Sequence, residues 1–97
     1  MYGTPGTQAL TTTGAVVGTS GRPIRVFSVH VVSDGTASTV KLRNGTTSSG
    51  TLFVQIDGTI NKGSTLDFSQ GILFPAGCFA DTDAHTAYGC VSYMEQL

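Results

Sequence analysis

The chain has 97 residues, of which 39% are hydrophobic and 11% are charged, and its formal net charge is -1 at pH 7. This length suffices for one domain, because two halves would each be too small to hold a core. Five basic and six acidic side chains are scattered without a positive patch, which argues against direct nucleic-acid binding, and no apolar run approaches the ~20 residues of a membrane span.

Residues 1–21 are expected to form an extended N-terminal arm or a first strand. Glycines and Pro5 interrupt this Thr-rich segment, whose single apolar run is Ala15-Val16-Val17. Thr and Val favour extended backbone, so the segment is predicted to add to its own sheet or to lie along the sheet edge of a neighbour. Fraying of the terminus is the alternative. Residues 22–97 are predicted to form the main domain.

The strongest predicted strand covers residues 24–33, with the sequence IRVFSVHVVS. Ile24 and Val26 share one face, whereas Phe27, Val29 and Val31 share the other. This change of phase predicts a bulge near Val26 and Phe27, or a strand that is covered on both sides.

The next two strands are predicted at residues 39–43 and 51–57, joined by a polar connection that begins at Asn44-Gly45. In the first, Val40 and Leu42 alternate with polar neighbours and should point inward. In the second, Leu52, Val54 and Ile56 are expected on one face and Phe53 and Gln55 on the other.

Four further strands are predicted at residues 65–68, 72–74, 78–80 and 88–95, after a short excursion at residues 59–60. Leu66 and Phe68 are expected to point inward, and residues 81–86 should form a polar loop. No segment has helical periodicity. The predicted fold is therefore all-β, a single β-sandwich or jelly-roll-like barrel of seven or eight short antiparallel strands.

Residues 81–85 (Asp-Thr-Asp-Ala-His) are the one cluster that resembles a site. Asp81, Asp83 and His85 could offer ligands to Ca²⁺, but a calcium loop needs six or more oxygens and an acidic residue at its end. For zinc, Cys78, His85 and Cys90 lack the paired short spacing and a fourth ligand. We interpret the aspartates as turn-capping residues and predict no metal and no cofactor.

Catalysis is not expected from this residue set. Cys78 could be paired with His85 or His30, but no local pattern sets a base against the thiol. Glu95 is the only glutamate and lies where a frayed terminus is expected, so the paired acids of a glycosidase are missing. Cys78 and Cys90 are interpreted as small hydrophobic residues, with a disulfide as the alternative.

A glycan-binding module is a further alternative, because many such modules are sandwiches of this size. Sugars are usually bound on an exposed aromatic platform, and the chain contains no Trp. Tyr88 and Tyr93 should lie on opposite faces of the last strand. Phe53 is the better exposed candidate, although a covered face or an oligomer contact is its expected place.

The order of residues from 25 to 81 carries a family resemblance. One strand ends in SDGTASTVKLRNG, another leads into IDGT, and the succession LDFS, GILFP, G, F and D follows. In this order the chain resembles small virion structural proteins of tailed bacteriophages. Such proteins are usually sandwiches that oligomerise on the particle, many as capsid decoration or cement proteins and some as neck or tail components.

The resemblance implies a non-enzymatic role in the virion, after assembly in the host cytoplasm. This expectation agrees with the N-terminal sequence, in which no signal peptide is visible. It implies contact with the major capsid protein or other virion proteins, and self-association, with a trimer favoured. We expect contact through residues 11–17, 47–50 and 57–63. A neck or tail component and a glycan-binding adhesion module are the alternatives.

Overall fold

A computed structural model describes residues 3–10 and 14–96, which contain eight strands. In chain order these are β1 (Gly3–Leu10), β2 (Ala15–Val17), β3 (Ile24–Ser33), β4 (Ser38–Asn44), β5 (Thr51–Gly58), β6 (Gly63–Phe74), β7 (Cys78–Asp81) and β8 (Thr86–Gln96). Sheet A has the order β1-β8-β3-β6 and sheet B the order β2-β7-β4-β5, and every pairing is antiparallel. The predicted all-β sandwich is confirmed.

The core lies between the inner faces of the two sheets. Its fully buried members include Ile24, Val26, Val29 and Val31 from β3, with Phe74 from β6. The register of β3 shifts between Val26 and Ser28 against both neighbours, and against β8 Phe27 is the extra residue of a bulge. The bulge predicted from the phase change is confirmed, and it keeps both halves of this strand facing the core.

Two predicted strand patterns are wrong because bulges change the phase. In β5, Leu42 pairs with Val54 and Arg43 pairs with Leu52, so Phe53 is extra and Leu52 faces outward, 43% exposed. The strands predicted at 65–68 and 72–74 are one strand, β6. Within it, residues 68–71 face only Phe27 of β3.

Two side chains predicted to point inward in β6 differ in burial. Phe68 packs against the core, whereas Leu66 is 36% exposed on the edge strand. An edge strand has a neighbour on one side only, so an inward side chain there is incompletely covered.

Residues 3–10 and 15–17 both belong to the sandwich. β1 pairs with β8 over its full length, and β2 pairs with β7. For these residues the structure has strands in their own sheets, not an arm detached from the domain. Residues 11–13, which belong to the predicted contact segment 11–17, lie outside the described residues.

The connections are divided between two ends of the sandwich. One end carries the turns after β3 and β5 and the loop before β8, joined by backbone hydrogen bonds from Asn61 and Asp34. The other end carries the connections after β2, β4 and β6, where Gly45 donates to the carbonyl of Gly77. The molecule measures 41 × 26 × 18 Å.

Candidate functional site

The polar cluster at residues 81–85 serves the fold. Asp83 Oδ1 accepts from the backbone N of His85 at 2.9 Å, and its Oδ2 accepts from the backbone N of Thr39 at 2.8 Å. Asp81 Oδ2 forms an ion pair with Nε of Arg43 at 3.0 Å. Asp83 therefore caps a turn, whereas Asp81 joins strands β4 and β7 from their outer face.

A shallow groove of about 320 Å³ lies beside this cluster on the outer face of sheet B. Its lining residues are Thr39, Lys41, Gln55, Asp81, Thr82 and Asp83. The groove contains no thiol or imidazole, and three of the four carboxylate oxygens of Asp81 and Asp83 already accept hydrogen bonds within the chain. Across residues 3–10 and 14–96, no three His, Cys, Asp or Glu side chains are grouped so as to hold a metal ion.

The side chains considered for a Cys-His pair are separated by the fold. Cys78 lies on the buried inner face of sheet B, whereas His30 lies on the outer face of sheet A. His30 Nδ1 hydrogen-bonds Thr65 Oγ1 at 2.7 Å, and His85 Nδ1 lies 3.4 Å from Asp34 Oδ2 in an end loop. Neither His30 nor His85 therefore lies beside the thiol of Cys78.

The two cysteines are free and differ in environment. Cys78 is fully buried, and this burial raises the pKa of its thiol to about 12. Cys90 is half-buried in β8 and pairs with His30 on the outer face of sheet A. The sequence suggested that both cysteines are small buried hydrophobic residues. This holds fully for Cys78, whereas Cys90 is only half-buried.

This difference predicts selective alkylation. Thiolate is the reactive form, and at about pH 8 the Cys78 thiol is protonated and inaccessible. We expect iodoacetamide to add one label per native chain in dilute solution and two in concentrated guanidinium chloride, as measured by mass spectrometry. The Cys90→Ser variant should take none when native, and a label on native Cys78 would contradict the burial argument.

Glu95 lies in strand β8, which is paired on both sides. The prediction that the terminus is frayed at Glu95 is therefore wrong, because the strand continues to Gln96. Its strand β8 pairs with both β1 and β3. Glu95 Oε1 accepts from the backbone N of Thr19 at 2.7 Å, which fixes the connection between β2 and β3. Hydrogen bonds from Thr19, with a smaller contribution from the charge of Arg22, lower the pKa of this carboxyl.

A lowered carboxylate pKa makes stability depend on pH in a defined direction. The folded state binds this proton less tightly than the unfolded chain, so stability is gained above the unfolded pKa and lost as pH falls through the folded pKa. We expect Glu95→Gln to lower the urea midpoint at neutral pH but to be equal to the parent well below about pH 4. An equal deficit at both pH values would contradict a role for the charge.

Tyr88 and Tyr93 form no shared platform. Tyr88 is 53% exposed on the outer face of sheet A, whereas Tyr93 packs against the core from the inner face. The ring centroid of Phe53 lies 5.1 Å from that of Phe74, although Phe53 is 42% exposed. Phe53 thus closes one side of the sandwich while leaving part of its ring in solvent.

The turn at residues 59–62 is the best-defined exposed feature among the predicted contact segments. Asn61, with φ of 56°, donates from its backbone N to the carbonyl of Asp34, and the carbonyl of Lys62 accepts from the N of Ser33. These bonds hold the side chain of Ile60 in solvent, 54% exposed. A recess of about 590 Å³ beside it is lined by Ala37, Asp57, Gly58, Thr59, Ile60 and Lys62.

The other predicted contact loop, at residues 47–50, lies at the opposite end of the sandwich. Its exposed hydroxyls bond each other, with Thr47 Oγ1 and Ser49 Oγ 2.8 Å apart. Within segment 11–17, Ala15–Val17 is strand β2 and is paired with β7. The structure therefore separates the two loops and places β2 within the fold.

Exposed apolar side chains lie along the β5 and β6 edges of the two sheets, and sequence reasoning missed three of them, Leu52, Leu66 and Leu73. Among the residues that the structure describes, five of the six large exposed hydrophobic residues belong to β5, β6 or the turn between them, namely Leu52, Phe53, Ile60, Leu66 and Leu73. Alternation would have placed Leu52 and Leu66 in the core. No local signal in the sequence reveals the bulges and the edge position that expose them.

Comparisons with known proteins add a structural likeness. No protein-family model matches the chain, and no curated protein matches it significantly. A solved structure described as "Bacillus endospore appendages form a novel family of disulfide-linked pili" aligns with a TM-score of 0.49 and 14% identity, over 100% of this chain and 92% of that one. At these values the likeness carries no functional argument. Within the described residues, no helix is long and apolar enough to cross a membrane.

Proposed function

We propose that this chain is a non-enzymatic structural protein of a tailed-bacteriophage particle, and that it decorates the capsid by binding between major capsid subunits. The observation that carries the proposal is the exposed apolar tip at Ile60, on a turn held by backbone hydrogen bonds. A contact residue that is already fixed loses little conformational freedom on docking, so more of its burial contributes to affinity. The virion is proposed from the sequence resemblance.

The position of the two contact loops supports a bridging role. The turn at residues 59–62 and the loop at residues 47–50 lie at opposite ends of the same rigid sandwich, so one copy can touch two neighbouring subunits. Each contact is small, but linking two of them multiplies their strength when the geometry permits both. Such a bridge would oppose the separation of capsid subunits under internal pressure.

The proposal is tested by adding purified chain to phage particles that lack it and counting the copies bound. Uptake of hundreds of copies per particle is expected for a decoration protein. A dozen or fewer would indicate the neck or tail, and no uptake with binding to a glycan array would indicate an adhesion module. Either result would overturn capsid decoration.

Variants locate the contact. Ile60→Asp places a charge at the apolar tip and is expected to reduce uptake at least about tenfold, since a buried unpaired charge opposes docking. Ser48→Asp tests the opposite end and should also reduce uptake if one copy bridges two subunits. Ser69→Asp, an exposed change in β6 outside both loops, is the matched control and should bind like the parent. Equal uptake by all three variants would contradict docking through these loops.

A further inference from the structure

The outer face of sheet A carries fewer charged side chains than the outer face of sheet B. Of the eleven charged residues in the sequence, the register of the described strands points only Arg25 and Asp67 outward from sheet A. Four point outward from sheet B, namely Lys41, Arg43, Asp57 and Asp81. Burying the outer face of sheet A in a protein contact therefore requires the desolvation of fewer charged groups than burying the outer face of sheet B.

Apolar side chains occupy much of the outer face of sheet A. They include Ala9, Val32, Leu73, Tyr88, Cys90 and Met94. Tyr88 and Leu73 are 53% and 39% exposed. Depletion of charge together with exposed aromatic and aliphatic groups is typical of the centre of a protein interface.

We propose that this face is the contact between two copies of the chain, packed sheet A against sheet A about a two-fold axis. A two-fold contact uses the same surface on both sides, so that surface must be complementary to itself. The outer face of sheet A meets this condition because its two charges have opposite signs. Burying either charge without a partner would be costly.

The positions of the two charges define how they can pair. Arg25 pairs with Leu73 across β3 and β6, and Asp67 pairs with Ser28, the next outward position of β3, on the far side of the β6 bulge at residues 68–71. An axis in the plane of the interface, midway between these charges, sets Arg25 of each copy beside Asp67 of the partner subunit. It also brings Leu73 close to its own counterpart. Nη1 of Arg25 donates to the carbonyl of Gln70 at 3.2 Å, which leaves other guanidinium donors free for a carboxylate.

The size of the face predicts a reversible dimer. Four strands spaced ~4.8 Å apart and about eight residues long cover roughly 19 by 26 Å, or ~500 Å² per copy. Twice this area is close to the ~1,000 Å² that a specific interface needs. The free chain should therefore exchange between monomer and dimer in the micromolar to millimolar range. The trimer favoured by the sequence resemblance would instead join two different patches.

Sedimentation equilibrium of the full chain tests the proposal over about 1 µM to 1 mM. The mass should rise from one chain to two, and the alkylation rate of Cys90 should fall over the same range. A mass that stays at one chain, or that rises to three, would overturn the two-fold contact. The measurement needs no phage particle, so it can fail or succeed independently of the proposed function.

Matched variants identify the face. Leu73→Lys should weaken the dimer at least about tenfold, because it places two ammonium groups near the axis. Leu52→Lys is the control: this leucine is also on an edge strand, is 43% exposed, and lies beside an arginine in the register, but on sheet B. It should leave the dimer within about threefold of the parent. Equal weakening by both variants would contradict the assignment to sheet A.

Charge exchange tests the reciprocal pair. Arg25→Asp and Asp67→Arg each set like charges against one another across the axis, and each should weaken the dimer about tenfold. The double variant restores opposite charges and should recover most of the parent's affinity. A double variant no tighter than either single one would show that these two residues do not meet across the contact.

Discussion

Gly58→Ala is expected to destabilise the fold by at least about 3 kcal/mol, a large fraction of the ~5–15 kcal/mol available to a domain of this size. A Cβ at this position would clash with Oγ of Ser33 and come within 3.0 Å of Oγ of Ser38. Both serines are buried and their hydroxyls are 2.6 Å apart. Ser33 Oγ also accepts from the backbone N of Ser38 at 3.2 Å, so moving it leaves buried polar groups without partners.

Urea denaturation of a small set of variants measures this effect. Gly35→Ala is the matched control, because a Cβ there meets no atom within 4 Å, and it should change stability by less than about 0.5 kcal/mol. In the Ser33→Ala background the clashing oxygen is absent, so Gly58→Ala should cost clearly less than in the parent. Full additivity of the two changes would contradict the proposed contact.

Phe74→Ala is expected to cost about 3–5 kcal/mol and to lower the melting temperature by roughly 15–25 °C. Phe74 is the largest fully buried side chain of the described residues. Its strand pairs with β3, where Phe74 lies opposite Ile24, and its ring packs against the ring of Phe53. Removing a buried ring loses its transfer free energy and leaves a cavity that the surrounding strands cannot fill. Differential scanning calorimetry measures the shift.

Phe53→Ala provides the comparison for Phe74. The two rings touch, but Phe53 is 42% exposed, so less area returns to water and solvent can occupy the space. Its cost should be about 1 kcal/mol, well below that of Phe74. If the two variants lost similar amounts of stability, the half-exposed ring of Phe53 would contribute as much to the core as the fully buried ring of Phe74, which would contradict the burial argument.

The alternation of apolar residues was enough to predict β3 and β4, because their inward positions are covered by strands on both sides. Val40 and Leu42 are fully buried, and the bulge at Phe27 follows from the phase change in the sequence. The same reasoning failed for Leu52 and Leu66. Both lie on edge strands, where bulges or missing neighbours decide exposure, and alternation carries no information on either.

Aspartate chemistry in the end loops could be predicted in part. The capping role expected for residues 81–85 applies to Asp83, whose oxygens accept backbone N–H groups. Asp81 instead pairs with Arg43, which is 38 residues away in the chain. A turn bond joins near neighbours and can be inferred locally, but a bond between strands depends on their register.

The sequence by itself determined that the chain is an all-β sandwich, since short alternating runs and frequent turn residues have few other solutions. Tertiary structure decided which surfaces remain for contact. Gly58 belongs to an Asp-Gly pair that resembles a turn, yet it lies opposite Ser38, where close packing excludes a side chain. The separation of charge between the two faces also appears only once strand order and register are fixed. These properties depend on residues distant in the chain, and local patterns cannot specify them.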